Sequence, residues 1–364
     1  MQQCRLCGVR SPLVMRQLSI CGVCIRTRFV EARPYIEAAH SATRREFGLP
    51  ERPPQAVRGC ACLLCARQCV IGPGERGYCG LRLNRDNRLV HLAGTPKQGL
   101  LHWYRDPLPT NCVAEWICAA SRQGSSRPRS VFGLHNLAVF YASCTFNCLY
   151  CQNWHFREVD PRRTELLSAE QLASQANART FCVCFFGGDP ASQMPHALAT
   201  ARRLAERNIV ICWETSGAQH PRLMDQAVRL SLETGGTVKF DLKAYHEELH
   251  FALTGASNRR TLENFARAAS HFNARPDPPL VVASTLLVPG YVTPDEVAAI
   301  ARFIAQINPH IPYALLAFAP QFYAADLPFT SIRHAEEASQ QARAAGLTNV
   351  RIGNRHILAY DSSL

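Results

Sequence analysis

From about residue 137 onward, short apolar runs rich in β-branched residues alternate with segments of helical periodicity. This alternation predicts parallel strands joined by helices, because parallel strands need long connections and bury both of their faces. Strands are expected at 137–141, 181–186, 209–213, 237–241, 280–287, 313–318 and 349–352. Helices are expected at 168–177, 194–207, 220–231, 260–273, 294–306 and 331–345. The prediction is an α/β fold, a partial (β/α)6 TIM-like barrel with its site at the C-terminal ends of the strands.

Two of the expected helices begin with the residue pair of a capping box. Ser168 is followed three residues later by Gln171, and Thr293 by Glu296. In such a box the two side chains bond each other's backbone amides at the first turn. Pro294 adds a residue that favours the first helical position. Both patterns therefore predict where a helix starts.

Three cysteines follow directly after the first expected strand. They are Cys144, Cys148 and Cys151, in the stretch Tyr141-Ala-Ser-Cys-Thr-Phe-Asn-Cys-Leu-Tyr-Cys151. Thiolates are the usual ligands of iron–sulfur clusters, and a cubane cluster takes four of them. With only three supplied, one iron keeps an open position for chemistry. A structural zinc site or unrelated core cysteines are the alternatives.

A first cysteine set lies at the start of the chain, as two pairs that each enclose two residues. Its members are Cys4, Cys7, Cys21 and Cys24. Two such pairs are typical of a zinc-ribbon or rubredoxin-like knuckle, in which each pair binds one side of a tetrahedral metal. Zinc in a folding or docking role is the expected occupant.

A second cysteine set follows a proline-rich linker at 49–54. Its members are Cys62, Cys65, Cys69 and Cys79. Zinc and an auxiliary iron–sulfur cluster both suit four thiolates, so the metal stays open. Cys60 could replace Cys62, and Cys112 and Cys118 are interpreted as buried thiols or as additional cluster ligands.

These features predict three regions. Residues 1–48 would form the knuckle and a helix interrupted near Pro34, and residues 49–130 the second metal region and its linkers. Residues 131–364 would form the barrel. The basic, serine-rich segment 121–130 is a candidate lid or partner contact.

Composition narrows the function classes. Seventeen cysteines in metal-type spacings indicate a reducing compartment. No secretory leader or membrane-length apolar run is visible, so a cytoplasmic protein without membrane contact is expected. The formal charge of +12 suggests an acidic partner, a protein or a nucleic acid, although the basic residues form no block.

The three-cysteine motif, with Tyr150 before its last cysteine, resembles that of the radical S-adenosylmethionine (SAM) enzymes. Other strand ends add to the likeness: Gly187-Gly-Asp189, Glu214-Thr-Ser-Gly217, Asp241-Leu-Lys243 and Val288-Pro-Gly290. Over about residues 60–360 the chain is similar to the pyruvate formate-lyase activating enzyme-like group, in its AmmeMemoRadiSam-type branch.

The resemblance implies a role for each motif residue. The three cysteines would bind a [4Fe-4S] cluster, and Tyr150 would pack near the adenine of SAM. Alternate residues of a strand face the same side, so Asp241 could orient Lys243 towards the carboxylate of SAM. The remaining residues would contact the amino group of SAM (Gly187, Gly188 and Asp189) and its ribose (Glu214 and Thr215).

The implied activity is reductive cleavage of SAM to a 5′-deoxyadenosyl radical that abstracts hydrogen from a protein, peptide or small molecule, with ferredoxin or flavodoxin as reductant. Activating enzymes usually carry arginine where Ser284 stands, so the cofactor chemistry transfers more readily than the substrate. The alternatives are a zinc-knuckle module that binds RNA or protein, and an RNA-modifying radical SAM enzyme. No residue is assigned to catalysis; His155 and His356 are expected to be surface or packing residues.

Overall fold

The computed structural model describes residues 1–110, 112–120 and 131–360. The candidate lid at 121–130 lies outside these residues. The strands described are β1 (Gln2–Gln3), β2 (Arg10–Ser11), β3 (Cys60–Ala61), β4 (Val70–Ile71), β5 (Arg82–Arg85), β6 (Arg88–His91), β7 (Leu101–Pro107), β8 (His135–Tyr141), β9 (Thr180–Gly187), β10 (Val210–Thr215), β11 (Val238–Asp241), β12 (Val281–Leu287), β13 (Tyr313–Ala317) and β14 (Val350–Gly353). The α-helices described are α1 (Gly22–Thr27), α2 (Phe29–Arg45), α3 (Ala169–Ala173), α4 (Met194–Ala205), α5 (Pro221–Thr234), α6 (Glu247–Thr254), α7 (Arg259–Ala269), α8 (Pro294–Ile307) and α9 (Ile332–Ala344).

One eight-stranded sheet organises the larger part of the molecule. Strands β8 to β14 run parallel in sequence order, and β7 pairs antiparallel with β8 at one edge. Strands β7 and β14 are the two edges, so the sheet is open between them. The α/β fold with a partial barrel is therefore confirmed. Strand interiors such as Leu137, Val139 and Val183 are fully buried, as parallel strands covered on both faces require.

The predicted elements and the observed ones differ in a few places. Helix α6 was not expected, and α3 is shorter than its predicted 168–177. The interruption near Pro34 is wrong, since α2 continues through it. Pro34 and Val30 both lie on the exposed side of α2, where water can satisfy the carbonyl that loses its partner.

Only one of the two capping boxes forms. At α3, the Gln171 amide donates to Ser168 Oγ over 3.1 Å and the Ser168 amide to Gln171 Oε1 over 2.8 Å. Helix α8 does begin after Thr293, but without a side-chain cap. Glu296 is buried and instead accepts bonds from the amides of Tyr245 and His246, at 2.6 and 3.0 Å. A tertiary contact thus replaces the local one.

The N-terminal segment packs against the barrel around Tyr291. The Met15 amide donates to the Tyr291 hydroxyl over 2.8 Å, and the hydroxyl donates to the Ile20 carbonyl over 3.0 Å. Buried residues of the knuckle and α2 belong to the same apolar core as the barrel strands. The division at 48 and 130 stays a prediction. In the described ranges no helix is long and apolar enough to cross a membrane.

Candidate functional site

The loop that follows β8 carries the three cysteines into a large cavity at the C-terminal ends of the strands. This strand-end cavity measures about 620 Å³. Every residue of the predicted cluster and SAM site lines it: Cys144, Cys148, Tyr150, Cys151, Gly187, Gly188, Asp189, Glu214, Thr215, Asp241 and Lys243. The structure therefore brings the whole set together, while the role of each member stays a prediction.

The cysteine loop is held by elements on two sides. The amides of Asn147 and Leu149 donate to the carbonyls of Thr254 and Leu253 at the end of α6, over 2.8 and 3.1 Å. The Asn147 side chain donates to His40 Nδ1 and Thr43 Oγ1 of α2, both at 2.9 Å. The N-terminal region thus positions the loop.

Of the three cysteines, Cys148 is buried and Cys144 and Cys151 are partly buried against the cavity. Burial raises the pKa of Cys148 to about 11 and that of Cys144 well above its ordinary value. The pKa of Cys151 is raised by burial and lowered in part by Arg157, whose buried Nε has no hydrogen-bond partner. Three thiols at one large cavity, beside a cationic nitrogen that has no partner among the described residues, fit a thiolate-bound, negatively charged iron–sulfur cluster.

The end of β9 approaches the cysteine loop too closely for any side chain at Gly188. A Cβ built there would lie 2.3 Å from the Ser143 carbonyl oxygen. The Gly188 amide donates to the Tyr141 carbonyl over 2.8 Å, and the Asp189 amide to that of Ser143 over 2.9 Å. Glycine is thus required by the backbone contact itself.

The Asp189 carboxylate joins β9 to the end of β10. Its Oδ1 accepts from the Ala191 amide and the Thr215 hydroxyl, both at 2.8 Å. Its Oδ2 accepts from the Ser216 amide at 3.2 Å and from the Ser216 hydroxyl. Burial raises the pKa of Asp189, and these donors partly counteract it. With two donors on each oxygen, the carboxylate braces two strand ends.

Beyond this brace, two acidic groups are paired with lysines. Glu214 Oε2 lies 3.5 Å from Lys239 Nζ. Asp241 and Lys243 form an ion pair at the end of β11, and the Lys243 ammonium lies 5.7 Å from the ring centroid of Tyr150. Burial acts to lower the pKa of Lys243, but Asp241 and other nearby negative groups hold it well above its usual value. Lys243 is thus a fixed positive charge beside the cysteines.

The open side of the sheet is spanned by the segment after β7. Arg351 of β14 donates to Glu115 over 3.0 Å and lies 5.7 Å from the Trp116 ring centroid. All three residues line the strand-end cavity. We call this contact the 115–351 clasp.

Comparison with known proteins identifies the family. Residues 138–304, which include β9 to β12 and the cysteine loop, match the model of the radical SAM superfamily. Residues 138–304 are therefore a radical SAM domain.

Curated relatives agree with the family. The chain is 35% identical over 133 residues to an isethionate sulfite-lyase activating enzyme of Desulfovibrio desulfuricans, over 36% of this chain and 40% of that protein. It is 30% identical over 165 residues to pyruvate formate-lyase 1-activating enzyme of Escherichia coli, over 44% and 64%. It spans less than two thirds of either protein. An uncharacterized protein of Methanocaldococcus jannaschii matches at 24% identity over 80% of both chains.

Away from the strand-end cavity, the first cysteine set forms a compact four-sulfur group. All four sulfurs lie within 4.8 Å of one another, and those of Cys7 and Cys21 are 3.8 Å apart. A tetrahedral zinc with bonds of about 2.3 Å holds its sulfurs at about this separation. Burial acts to raise the pKa of Cys4, but amides of Cys21, Cys7 and Leu6 outweigh it and lower the pKa to about 6. The set fits zinc.

The second cysteine set packs between the radical SAM barrel and α2. The Ala66 amide donates to the Ala218 carbonyl and the His220 amide to the Leu64 carbonyl, both over 2.8 Å. The pKa of Cys65 is raised to about 12, first by burial and then by its neighbours Cys79, Cys62 and Cys69. The four thiols are thus close enough to influence one another electrostatically.

Sequence reasoning missed a thiol-lined chamber of about 80 Å³ inside the barrel. The buried Lys239 Nζ lies 2.9 Å from Cys112 Sγ and 3.1 Å from Cys184 Sγ. Strand periodicity was the available signal, since Cys184 and Lys239 each lie two residues before a cavity-lining position. The other lining cysteines are Cys118, Cys182 and Cys212.

Both histidines considered in the sequence, His155 and His356, are exposed. His356 lines the strand-end cavity and is exposed. His155 is exposed and stacks on Trp154 with centroids 3.8 Å apart. Sequence reasoning also missed Asn147 and Arg157, which contact each other beneath the cysteine loop.

Proposed function

We propose that this protein is a radical SAM enzyme that binds a [4Fe-4S] cluster through Cys144, Cys148 and Cys151 and cleaves SAM reductively. The carrying observation is that the three cysteines share one cavity with all the strand ends that resemble SAM-binding motifs. When bound, the cluster supplies the electron that splits SAM into methionine and a 5′-deoxyadenosyl radical, which takes hydrogen from the substrate.

The protein's own residues orient SAM and exclude water. Lys243, fixed by Asp241, offers a positive charge to the carboxylate of SAM. Tyr150, which is 3% exposed, offers an apolar face to the adenine. Glu214 is partly exposed to the cavity and is the group available to the ribose hydroxyls. The Thr215 hydroxyl donates a hydrogen bond to the Asp189 carboxylate. We therefore assign these two residues to positioning the groups that contact SAM.

A protein or peptide segment is the proposed substrate. Two relatives carry the names of activating enzymes for lyases, and names of that kind indicate a protein target. A cavity of about 620 Å³ has room for SAM and part of a second molecule. Ferredoxin or flavodoxin is the proposed reductant, and the cytoplasm the proposed location. A small-molecule substrate is the alternative outcome.

The test of SAM cleavage is anaerobic reconstitution with iron and sulfide, followed by dithionite and SAM. We expect a brown protein that forms 5′-deoxyadenosine, measured by liquid chromatography and mass spectrometry. Cys148→Ala should abolish this product, because two thiolates hold the cluster poorly. Cys7→Ala, in the first set, is the matched control and should retain the product.

Two outcomes would contradict the proposal. One is 5′-deoxyadenosine at the unaltered level from Cys148→Ala. The other is a colourless zinc protein with salt-sensitive RNA binding, which would favour the zinc-knuckle binding module, since contacts with phosphates weaken as salt rises.

A further inference from the structure

Three arginines beside the second cysteine set, Arg44, Arg67 and Arg82, carry charges that no carboxylate in the described part of the chain balances. Arg44 and Arg82 are 2% and 1% exposed. Arg44 and Arg67 cover the ring of Tyr78, at 3.5 and 4.0 Å from its centroid. No carboxylate of the described residues forms an ion pair with any of the three. Buried cations without a counter-charge are costly, so an anionic group is expected here.

Two of these arginines have nitrogen atoms available to bond such an anion. The buried Nε and Nη2 of Arg82 and Nη2 of Arg67 have no hydrogen-bond partner. Arg82 Nη1 lies 3.5 Å from Cys79 Sγ. Four thiolates around a metal centre carry net negative charge beside these donors, and hydrogen bonds to cluster sulfurs are a normal part of such sites.

Sulfur spacing separates this set from the knuckle. Within the part of the chain that the structure describes, only Cys4, Cys7, Cys21 and Cys24 bring three or more metal-ligand atoms within 4.8 Å of one another. The second set is more open, and so is the cysteine triplet of the strand-end cavity. A single zinc gathers its sulfurs closely, whereas each sulfur of a cubane binds a different iron and lies farther from the others.

The second set also adjoins the triplet. A cavity of about 190 Å³ lies between them and is lined by both Cys79 and Cys144, with Arg44 and Arg157 in its wall. Cys79, Cys144 and Cys151 pack against the same small apolar cluster, which includes Leu81 and Phe156. Since electron tunnelling weakens steeply with distance, this adjacency favours electron exchange between redox centres at the two sets.

We propose that Cys62, Cys65, Cys69 and Cys79 hold an iron–sulfur cluster that conducts electrons to the cluster at Cys144, Cys148 and Cys151. The conducting role rests on the proposed function, whereas the identity of the metal does not. A low-potential one-electron donor of the flavodoxin class reduces the second-set cluster by one electron. That same electron passes to the triplet cluster and returns the second-set cluster to its oxidised state; no bond is made or broken.

The metal is tested by iron and zinc analysis with Mössbauer spectroscopy of the reconstituted protein. We expect about eight irons and one zinc per chain. The triple variant Cys144→Ala/Cys148→Ala/Cys151→Ala should keep about four irons, those of the second-set cluster. Cys62→Ala/Cys65→Ala should lose those irons and keep about four, those of the triplet cluster. Four irons and two zincs in the unaltered protein, or no iron in the triple variant, would overturn the cluster. Neither result depends on SAM cleavage.

The conducting role is tested by stopped-flow reduction of the triplet cluster in Cys62→Ala/Cys65→Ala. The ratio of the rate with flavodoxin to the rate with dithionite should fall at least tenfold, because dithionite is small enough to reduce the triplet directly. An unchanged ratio would exclude conduction. If SAM is not cleaved although the ratio falls, the proposed function fails and the relay stands.

Arg82→Gln provides a measurement that keeps all cysteines. Removing the positive charge beside Cys79 should make the reduction potential of the second-set cluster more negative, as followed by EPR-monitored titration in the triple-alanine background. Arg85→Gln is the matched control, since Arg85 is exposed on the same strand. A shift as large in the control would refute the assigned contact.

Discussion

Asp189 illustrates how one side chain in a binding motif can serve the strands themselves. The resemblance assigns it to the amino group of SAM, yet each of its carboxylate oxygens already accepts two hydrogen bonds from the protein. A carboxylate has about four lone-pair sites. We therefore propose that Asp189 holds the turn after β9 against Thr215 and Ser216, and that direct contact with SAM falls to neighbouring groups.

His196 gives a prediction of pH dependence at the same scale. It accepts a hydrogen bond from the Tyr141 hydroxyl at Nδ1 over 2.8 Å, and its Nε2–H donates to the Leu167 carbonyl over 2.9 Å. Burial lowers its pKa to about 4. Below pH 6.5 the unfolded chain takes up a proton that the folded protein refuses, so the stability is full above pH 6.5 and falls towards pH 4.

The measurement compares the unaltered protein with His196→Gln by urea denaturation between pH 7.5 and 4.5. Between pH 7.5 and 4.5 the unfolding free energy of the unaltered protein should fall by up to about 3 kcal/mol more than that of the variant. Acid loss of metal affects both proteins equally, so the difference isolates the histidine. Parallel curves would show that His196 is not the group responsible.

At the level of elements, the turn after β9 and the cysteine loop fit together through backbone alone. In Gly188→Ala the new Cβ would meet the carbonyl oxygens of Ser143 and Tyr141 at 2.3 and 2.8 Å. Neither atom can rotate away, so we expect a loss of at least about 2 kcal/mol of unfolding free energy. Less iron should also be retained after reconstitution, since the displaced loop carries Cys144.

Gly133→Ala is the control for this prediction. Its φ is +79°, and among the described residues no heavy atom lies within 4 Å of a Cβ built there. Only the left-handed backbone opposes alanine, at a cost of about 1 kcal/mol. Equal losses in the two variants, measured by urea denaturation, would mean that contact with the cysteine loop is unimportant.

The strands and helices show which features the sequence could predict and which it could not. Periodicity located the parallel strands, because most of their residues are buried, and Ser168 marked the start of α3. The capping box at Thr293 did not form because Glu296 bonds Tyr245 and His246, which lie 51 and 50 positions away. The lysine–thiol contacts of Lys239 join three separate segments, so strand periodicity could place Cys184 and Lys239 on one face of their strands but could not pair them.

For the whole molecule, the N-terminal region is part of the support of the radical SAM site. Helix α2 contacts the cysteine loop through His40 and Thr43, and Tyr291 ties the knuckle to the barrel. Tyr291→Phe would leave the buried Met15 amide and Ile20 carbonyl without their partner. We expect the unfolding free energy, measured by urea denaturation, to fall by about 1–3 kcal/mol.

Tyr360→Phe is the matched substitution, because Tyr360 is 76% exposed. It should change the unfolding free energy by less than about 0.5 kcal/mol. The Tyr291→Phe protein should also release zinc to a chelator faster than the control, as measured with a coloured zinc indicator. Equal stability and equal release would separate the knuckle from the barrel energetically.

The 115–351 clasp spans the open side of the sheet through side chains, whereas neighbouring strands are joined by backbone hydrogen bonds. Strands β8 to β13 are each hydrogen-bonded to two neighbours, whereas across the gap the side chains of Arg351 and Glu115 are 44% and 38% exposed. An ion pair so hydrated contributes at most about 1 kcal/mol, little more than thermal energy. We therefore expect the contact between Glu115 and Arg351 to open more easily than paired strands separate. A bulky reactant could then enter the strand-end cavity on this side while every strand stays paired.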